Sequence, residues 1–310
     1  MILALNPAIT VLMPVRNGAA YVMEAVASIL AQDFIDFEFL IVDDGSSDVT
    51  PRLLAAIGDP RVRVITTPPL GLVPALNRGL QEARAPYVAR MDADDVAAPA
   101  RLRLQCAVLD QDPALALVAS GWRVIGPDGA VRRVVRPSPD WVAALGRRNG
   151  IAHASVMFRR DMVRNHGGYR TAFPLAEDYD LWRRLAEHHP MAALPEPLLD
   201  YREHAGQSTL AGLERRILSE LAVHEAAALR ARGEPDGMDG PAPAMPSAAS
   251  VRDGMLPRAL GAAVDAVAAG HGAAARAAIR LAWRQPGLRL RTRAHLLLLR
   301  LLIVRQQAVR

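Results

Sequence analysis

Short apolar segments alternate with helical patterns over the first 125 residues of the 310-residue chain. Each apolar segment has the length of a strand, and the segments between them repeat apolar residues at the three- and four-residue spacing of a helix face. A helix that joins two strands of the same sheet forms a right-handed crossover, and the two strands then run parallel. The alternation therefore predicts an α/β fold with a mostly parallel sheet and flanking helices. The predicted strands are residues 9–14, 37–42, 62–66, 87–91 and 117–125, and the predicted helices are residues 21–32, 50–57, 72–83 and 101–110.

The second half of the chain predicts a mixture of short strands and helices. Residues 126–129, Gly-Pro-Asp-Gly, predict a turn between antiparallel strands. Further strands are expected at residues 154–158 and 198–202, and helices at residues 141–147, 179–188 and 213–232. We therefore expect a catalytic α/β domain over residues 1–232. Residues 233–257 are rich in Gly, Pro, Ala, Ser and Asp, which predicts a linker or mobile loop, and residues 258–310 form a basic helical C-terminal extension.

The net charge of +5 is unevenly distributed. From Arg258 onward the chain has ten arginines and one acidic residue, Asp265, which gives +9 and leaves the preceding residues at −4. The high pI thus comes from the residues after 257, and no nucleic-acid partner is expected for residues 1–257. There is no lysine, which excludes a P-loop. A single cysteine, Cys106, and an N-terminus without a signal-peptide pattern indicate a cytoplasmic protein.

The basic tail has two interpretations that the sequence leaves open. Arginines interleaved with leucines favour contact with an anionic membrane surface, which suggests a peripheral position on the inner face of a membrane. The alternative is a helical hairpin packed on the rest of the chain. The leucine-rich stretch at residues 296–304 is too short and too charged to span a bilayer.

Three carboxylates follow the fourth predicted strand directly: Asp92, Asp94 and Asp95. Such a density of hard oxygen ligands suits Mg²⁺ or Mn²⁺. The alternative is that Asp94 or Asp95 caps the helix that begins near residue 99. Ligands of parallel sheets bind beyond the carboxyl ends of the strands, where the segments 14–17 and 43–44 also lie. We therefore expect these segments to line one cleft, which favours the metal over the cap.

Two other functions compete at these motifs. The segment Asn17-Gly-Ala-Ala20 after the first strand lacks the glycine pattern of a dinucleotide-binding loop, which argues against a Rossmann dehydrogenase. The segment Asp92-Ala-Asp-Asp-Val96 matches the nucleophile motif of haloacid-dehalogenase-type phosphatases. That motif normally follows the first strand, however, whereas here three predicted strands precede it.

Five motifs together resemble the family 2 glycosyltransferases in order and spacing, over roughly residues 8–210. They are Val11-Leu-Met-Pro-Val-Arg-Asn-Gly18, Ile41-Val-Asp-Asp-Gly-Ser-Ser-Asp48, Met91-Asp-Ala-Asp-Asp95, His153-Ala-Ser-Val-Met157 and Ala176-Glu-Asp-Tyr-Asp-Leu-Trp182. The resemblance implies the GT-A fold, a nucleotide-diphospho-sugar donor and transfer with inversion to an acceptor hydroxyl. It also implies a role in assembling bacterial cell-surface polysaccharide or glycolipid, with a saccharide or lipid-linked acceptor. A sugar-nucleotide-binding module without catalysis is the alternative.

The resemblance also implies which residues bind the donor. Asp94 and Asp92 would hold Mn²⁺ or Mg²⁺ on the diphosphate, with His204 as a further ligand. Arg16 stands where many relatives have an aromatic residue; a guanidinium can also stack on a base, and a UDP-sugar is the expected donor. The residues expected to bind the nucleotide sugar are Pro14, Arg16, Asp43, Asp44, Asn77, Asp92, Ala93 and His153.

The catalytic base is implied at the start of the helix near residue 179. Asp178 resembles the family's base, and Glu177 is the second candidate. Acidic residues at a helix N-terminus also suit the helix dipole, so a capping role stays open on local grounds. The chain lacks the Gln-x-x-Arg-Trp motif of processive members, which argues against a polymerising synthase.

Overall fold

The computed structural model describes residues 6–204, 212–237, 245–268 and 272–285, together with residues 292, 296, 297, 299 and 300. The chain divides into two compact units. The first comprises residues 1–170 and 181–204, and the second comprises residues 171–180 and 205–310. The helix Leu213–Ala231, which the sequence analysis placed in the first domain, groups here with the C-terminal helices, and so does the short segment 171–180.

The first unit contains one mixed sheet. Its strands are β1 Ile9–Val15, β2 Phe37–Asp43, β3 Val62–Thr66, β4 Tyr87–Arg90, β5 Val96–Ala97, β6 Leu117–Ile125, β7 Val131–Val135, β8 Met157–Arg159 and β9 Met191–Arg202. They are arranged in the order β3-β2-β1-β4-β8-β6-β9-β5, with β7 paired to β6. Neighbouring strands are parallel from β3 to β4 and between β6 and β9, and antiparallel elsewhere. The predicted α/β architecture is confirmed.

Helices flank this sheet close to their predicted positions. The helices are α1 Val22–Leu30, α2 Thr50–Ala55, α3 Leu72–Glu82, α4 Arg101–Gln111, α5 Trp141–Ala144, α6 Arg160–Asn165 and α7 Glu177–Ala186. Every residue of β1 and β2 is buried, as expected of central strands covered on both faces. The prediction of a strand at residues 154–158 is partly wrong, because residues 153–155 form a 3₁₀ turn and β8 begins at Met157.

The second unit is built from helices α8 Leu213–Ala231, α9 Ala248–Ala268 and α10 Gly272–Trp283. Their shared core consists mainly of alanine and leucine side chains. Gly254 lets α9 approach α8 closely, because a Cβ at this position would lie 2.3 Å from a Cδ atom of Leu221. None of the helices in the described part of the chain has the length and apolar character that crossing a bilayer requires.

The predicted linker at residues 233–257 is wrong over its second part. Helix α9 begins at Ala248 and continues through Pro257. Met255 and Ala259 are buried in the core of the second unit, so apolar burial outweighs the composition that suggested a loop.

Candidate active site

The carboxyl ends of β2, β1 and β4 lie side by side at one edge of the sheet. Val15 is opposite Asp43 in the parallel register of β1 and β2. The backbone N–H of Asp44 donates to the carbonyl of Val15 at 2.9 Å, and that of Met91 donates to the carbonyl of Leu12 at 3.0 Å. The segments that follow these strands therefore leave the sheet from neighbouring positions, as the sequence predicted.

Asp43 and Asp44 both organise the backbone at this edge. A carboxylate oxygen of Asp43 accepts the N–H of Ser46 at 3.0 Å, which closes a turn over residues 43–46. The carboxylate of Asp44 is buried and accepts the N–H groups of Leu70 at 2.8 Å and Gly71 at 2.9 Å. Arg16, half exposed, lies 3.9 Å from Asp44. Asp44 thus ties the loop after β3 to the loops after β1 and β2.

The loop after β1 is held in the same way, through a residue that the sequence reasoning did not select. Asn17 has a φ of 52°, a left-handed conformation that asparagine tolerates better than most residues. Its side-chain oxygen accepts the N–H of Ser47 at 2.8 Å, and Ser46 Oγ accepts the N–H of Asn17 at 2.9 Å. In this conformation Gly18 lies beside Ala93, and a Cβ atom added at Gly18 would be 3.7 Å from the Cβ atom of Ala93.

The carboxylates of Asp92, Asp94 and Asp95 form one cluster, with one oxygen of each lying within 4.8 Å of the others. The capping alternative is wrong, because Ala100 is the N-cap residue of α4 and the helix has no side-chain cap. Asp92 forms an ion pair with the buried guanidinium of Arg90. Asp92 is thus the acid of this cluster that forms a direct ion pair with an arginine.

Electrostatics at this cluster favour the binding of a cation. Burial raises the pKa of Asp94, and the charge of Asp92 adds to this effect. Burial raises the pKa of Asp95 well above its usual range, with further contributions from Asp92 and Asp94. One oxygen of Asp95 is buried without a hydrogen-bond partner. A divalent cation would relieve this repulsion, so the donor set fits Mg²⁺ or Mn²⁺.

His204 reaches the acid cluster through a short strand pair that was not predicted. Val96 of β5, which directly follows Asp95, is opposite Asp200 of β9 in an antiparallel pair. The C-terminal end of β9 therefore lies next to the acid cluster. His204 Nε2 lies 2.9 Å from Asp94 Oδ2. The structure therefore brings together the three residues predicted to hold a metal, Asp92, Asp94 and His204, and it adds Asp95.

Arg202, also at the end of β9, is a buried arginine to which the sequence analysis gave no role. Its backbone N–H donates to Asp95 Oδ1 at 2.9 Å, and its Nε donates to the carbonyl of Asp94 at 2.9 Å. The guanidinium also lies 2.7 Å from Glu24 and 4.7 Å from the ring centroid of Tyr21. One side chain thus connects α1, the acid cluster and β9.

Asn77 and His153 both contact Tyr169. The side chain of Asn77 donates to the carbonyl of Tyr169 at 2.8 Å and accepts its N–H at 3.0 Å. His153 Nε2 lies 2.9 Å from the hydroxyl of Tyr169, and the ring of His153 packs edge-on against Trp182. Burial lowers the pKa of His153 well below its usual range, and the charge of Arg90 contributes, so the imidazole is neutral at pH 7. Roles for Asn77 and His153 in donor binding stay predictions.

Glu177 and Asp178 lie in the second unit, in the first turn of α7. Glu177 is buried and Asp178 is partly exposed, which favours Asp178 as the residue able to reach an acceptor. Asp178 Oδ1 accepts the N–H of Tyr179 at 2.6 Å. The position of Asp178 relative to the acid cluster stays a prediction.

Comparison with known proteins identifies the family. Residues 10–167 match the model of glycosyl transferase family 2. The O-antigen biosynthesis glycosyltransferase WbnJ of Escherichia coli is 33% identical over 204 residues, which cover 63% of this chain and 80% of WbnJ. The glycosyltransferase EpsE of Bacillus subtilis, itself described as putative, is 30% identical over 188 residues, 59% of this chain and 68% of EpsE.

Solved structures show the same fold. TarS 1–349 of S. aureus in complex with UDP-GlcNAc aligns with a TM-score of 0.60 at 15% identity, over 96% of this chain and 88% of that chain. The mannosyltransferase PcManGT of Pyrobaculum calidifontis, in complex with GDP-Man and Mn²⁺, aligns with a TM-score of 0.55 at 24% identity, over 97% of this chain and 84% of that chain.

The chain belongs to glycosyltransferase family 2 and has the GT-A fold. Sugar transfer from a nucleotide-diphospho-sugar is the activity of this class. The family therefore favours the glycosyltransferase over the phosphatase that the Asp92–Val96 motif also matched.

Proposed function

We propose that this protein is a metal-dependent, inverting glycosyltransferase that uses a UDP-sugar as donor. Its acceptor is a hydroxyl group of a saccharide or lipid-linked saccharide in bacterial cell-surface polysaccharide assembly. The observation that carries the proposal is the cluster of Asp92, Asp94 and Asp95 with His204 at the edge of the sheet where β1 and β2 also end. Relatives such as WbnJ, named for O-antigen biosynthesis, support the polysaccharide context.

Donor binding is assigned to the first unit. Arg16 and Asp44, 3.9 Å apart, would contact the base, with Pro14 and Asp43 beside them. Mn²⁺ or Mg²⁺ would be held by Asp94, Asp92 and His204, and when bound it offsets the negative charge of the diphosphate. The neutral imidazole of His153 is available to donate or accept a hydrogen bond without adding charge.

Asp178 is the proposed general base. Its carboxylate accepts the proton of the acceptor hydroxyl as the acceptor oxygen forms a bond to the anomeric carbon. The bond between that carbon and the diphosphate oxygen breaks on the opposite face, and its electron pair leaves with the nucleoside diphosphate. Attack from the face opposite to the leaving group inverts the anomeric configuration.

Replacement of the base tests this assignment. We expect Asp178→Asn to lower turnover by about a thousandfold, since a positioned base contributes roughly 10²–10⁴. Donor affinity in titration calorimetry should be nearly unchanged. The matched variant Glu177→Gln should retain turnover. Normal turnover in Asp178→Asn would contradict the assignment, and loss of turnover in Glu177→Gln alone would move the base to Glu177.

The donor can be identified by thermal shift. UDP-GlcNAc, other UDP-sugars and GDP-mannose should be compared with and without Mn²⁺, since solved structures of this fold are complexes with UDP-GlcNAc and with GDP-Man. The largest Mn²⁺-dependent stabilisation should come from a UDP-sugar. A larger effect of GDP-mannose would contradict uridine as the base.

A peripheral position on the cytoplasmic membrane face is the proposed setting, and liposome flotation tests it. The full chain and a chain that ends before Arg258 should be compared on anionic vesicles. Leu296 and Leu299 are buried in the core of the second unit, which supports the alternative of a hairpin packed within the protein. Equal flotation of both chains would remove the membrane proposal.

A further inference from the structure

Three histidines outside the candidate active site lie close together at the ends of two helices. His166 directly follows α6, and His188 and His189 follow the end of α7 by two and three residues. The ring centroid of His166 lies 5.1 Å from that of His188 and 5.0 Å from that of His189, and the latter two are 6.4 Å apart. All three residues, here called the histidine cluster, belong to the first unit. Since imidazole is the commonest metal ligand, the cluster is a candidate metal site.

The histidine cluster lies at the opposite end of β9 from the acid cluster. His189 stands two residues before Met191, the first residue of β9, whereas the backbone N–H of Arg202, the last residue, donates to Asp95. The 12 residues of this strand span about 35 Å. The two clusters are therefore separate sites of the first unit, with imidazole ligands at one and mainly carboxylates at the other.

Hydrogen bonds hold the backbone around the histidine cluster in place. The guanidinium of Arg184, in α7, donates to the carbonyl of His166, which ties the end of α6 to α7. The backbone N–H groups of His188 and His189 both donate to the carbonyl of Leu185, at 3.0 and 2.9 Å. The backbones of the three histidines are thus fixed close to one another, and only side-chain torsions remain to be set by a ligand.

Two of the rings are prepared to bind a metal. His166 Nδ1 lies 2.8 Å from the carbonyl oxygen of Met162, and a carbonyl only accepts, so Nδ1 carries the proton and Nε2 of the neutral ring keeps its lone pair. Metal-bound histidines typically have one nitrogen held by a backbone carbonyl in this way. Burial lowers the pKa of His189, and the charges of His166 and His188 contribute, so His189 is neutral at pH 7, the form that a metal requires.

A modest rotation of the side chains would complete the site. The ligand atoms of the three rings do not all lie within 4.8 Å of one another, as those of the acid cluster do. Around Zn²⁺ the nitrogens of a tetrahedral site are about 3.3 Å apart. His188 is exposed, and His166 and His189 are half-buried, so their rings have room to turn toward a common point. Rotamer changes of exposed side chains are fast and need no movement of the backbone.

We propose that His166, His188 and His189 form a second metal site, which takes a divalent transition metal such as Zn²⁺ and bridges the ends of α6 and α7. Imidazole ligands suit Zn²⁺, Cu²⁺ and Ni²⁺, whereas Mg²⁺ prefers oxygen. Three protein ligands leave one tetrahedral position for water. The site is independent of the proposed sugar transfer, since it shares no residue with the acid cluster.

Zn²⁺ titration calorimetry of the full chain, prepared without a histidine tag, tests the proposal. His204 and the acid cluster also offer ligands to Zn²⁺, so every variant keeps them and the site is measured as the difference from wild type. His166→Ala, His188→Ala and His189→Ala should each lower the affinity for one Zn²⁺ at least about tenfold, since loss of an outer partner of a ligand already costs 10–100-fold. Millimolar Mg²⁺ should not compete.

Arg164→Gln is the matched control, because Arg164 is an exposed residue of α6 close to His166 in sequence. It should bind Zn²⁺ as the wild type does. Thermal unfolding without metal checks that each variant is folded. Added Zn²⁺ should raise the Tm of the wild type, since a metal that binds the folded state stabilises it, and the triple alanine variant should gain less.

Cu²⁺ gives a spectroscopic check that does not depend on activity. Imidazole nitrogens bound to Cu²⁺ split its electron paramagnetic resonance signal, and Cu²⁺ binds such sites more tightly than Zn²⁺. At one equivalent, the wild type should show splitting from two or more nitrogens. The triple alanine variant should lose this pattern, because His204 is the imidazole that the acid cluster offers. The same splitting in both proteins would place the copper elsewhere and contradict the proposal.

The single variants decide whether the metal bridges the two helices. Loss of Zn²⁺ affinity in His166→Ala, together with loss in His188→Ala or His189→Ala, would support the proposal. Unchanged affinity in His166→Ala, or in both His188→Ala and His189→Ala, would overturn it, since the metal would then not join α6 to α7. Neither result bears on sugar transfer, which the variants of Asp178 and Asp94 test.

Discussion

The two units of this protein hold their candidate catalytic residues in different ways. In the first unit, the side chains of Asp43, Asp44 and Asn17 bind backbone N–H groups of loops that follow neighbouring strands. In the second unit, the contacts join side chains on different helices: Tyr179, the residue after Asp178, packs against His224 of α8, and Arg258 of α9 lies beside Glu220 of α8.

This difference explains which residues the sequence reveals. A side chain that binds a nearby backbone turn needs its neighbours at set positions, so it leaves a short motif such as Asp43-Asp-Gly-Ser46. Helix-to-helix contacts join residues that are far apart in the sequence, and no local pattern records them. If the comparison is correct, variants of the first unit should impair donor binding and local stability, while variants of the second unit should act through helix packing and the base.

The largest expected effect is that of Asp94→Ala on donor binding. Removing this carboxylate takes away a ligand of the proposed metal, and the charge stabilisation that a metal supplies is worth several kcal/mol. We expect donor affinity in the presence of Mn²⁺ to fall by about 4 kcal/mol, roughly a thousandfold, in titration calorimetry. Chelation of the metal from wild-type protein should reproduce the loss.

Asp161→Ala is the matched control, since Asp161 is an exposed carboxylate of the same unit, with 69% of its side chain accessible. It should bind donor as the wild type does. If Asp94→Ala retained Mn²⁺-dependent affinity, Asp94 would not be a ligand of the metal, and the metal would have to be held by other residues.

Arg202→Met should give the largest loss of stability. The guanidinium of Arg202 is buried and donates to the carbonyls of Asp94 and Gly126, and Glu24 lies beside it. Its removal leaves these acceptors without their donor, which should cost about 3 kcal/mol in urea unfolding. Arg103→Met, which removes an exposed ion pair with Asp33, should cost less than about 0.5 kcal/mol. Similar losses in both variants would show that Arg202 has no special place at the acid cluster.

Much of the first unit was predictable from sequence, and the reasons are physical. The buried strands and amphipathic helices produce regular patterns, and because ligands bind at strand ends, the sequence alone indicates Asp43, Asp44 and Asp94 at one edge of the sheet. Arg202 was not predictable, because nothing in its neighbourhood indicates that β5 pairs with β9. Asp95 was selected as an acid, but its buried and unsatisfied oxygen depends on tertiary packing.

In the C-terminal region the sequence predicts less of the structure, and tertiary contacts decide more of it. The sequence correctly indicated helices after residue 258, but its composition predicted a linker where α9 begins. Glycine, proline and serine in residues 248–257 argue for a loop when local preference is considered alone. The close approach at Gly254 and the burial of Met255 reverse that preference, and both depend on contact with another helix.

Asn77→Ala should have an intermediate effect. Its side chain makes two hydrogen bonds to the backbone of Tyr169, on a segment 92 residues away in sequence. Their loss should lower the free energy of unfolding by about 2 kcal/mol. The neighbouring Arg78→Ala removes an exposed ion pair within α3 and should change stability by less than about 0.5 kcal/mol. A stability change in Asn77→Ala no larger than in Arg78→Ala would leave donor binding as the main role of Asn77.

The smallest expected effects come from a pair of alanine substitutions in α9. An exposed helix position gains about 0.5–1 kcal/mol when glycine becomes alanine, and Gly261 has open space around its Cα. Gly261→Ala should therefore raise the thermal stability. At Gly254 the new methyl group would meet Leu221, and overpacking of about 1–3 kcal/mol outweighs the same gain. Gly254→Ala should therefore lower the stability by roughly 1 kcal/mol in calorimetry. Equal stabilisation by both substitutions would mean that α8 and α9 are not in close contact, and Arg258 would then lose its route to Glu220.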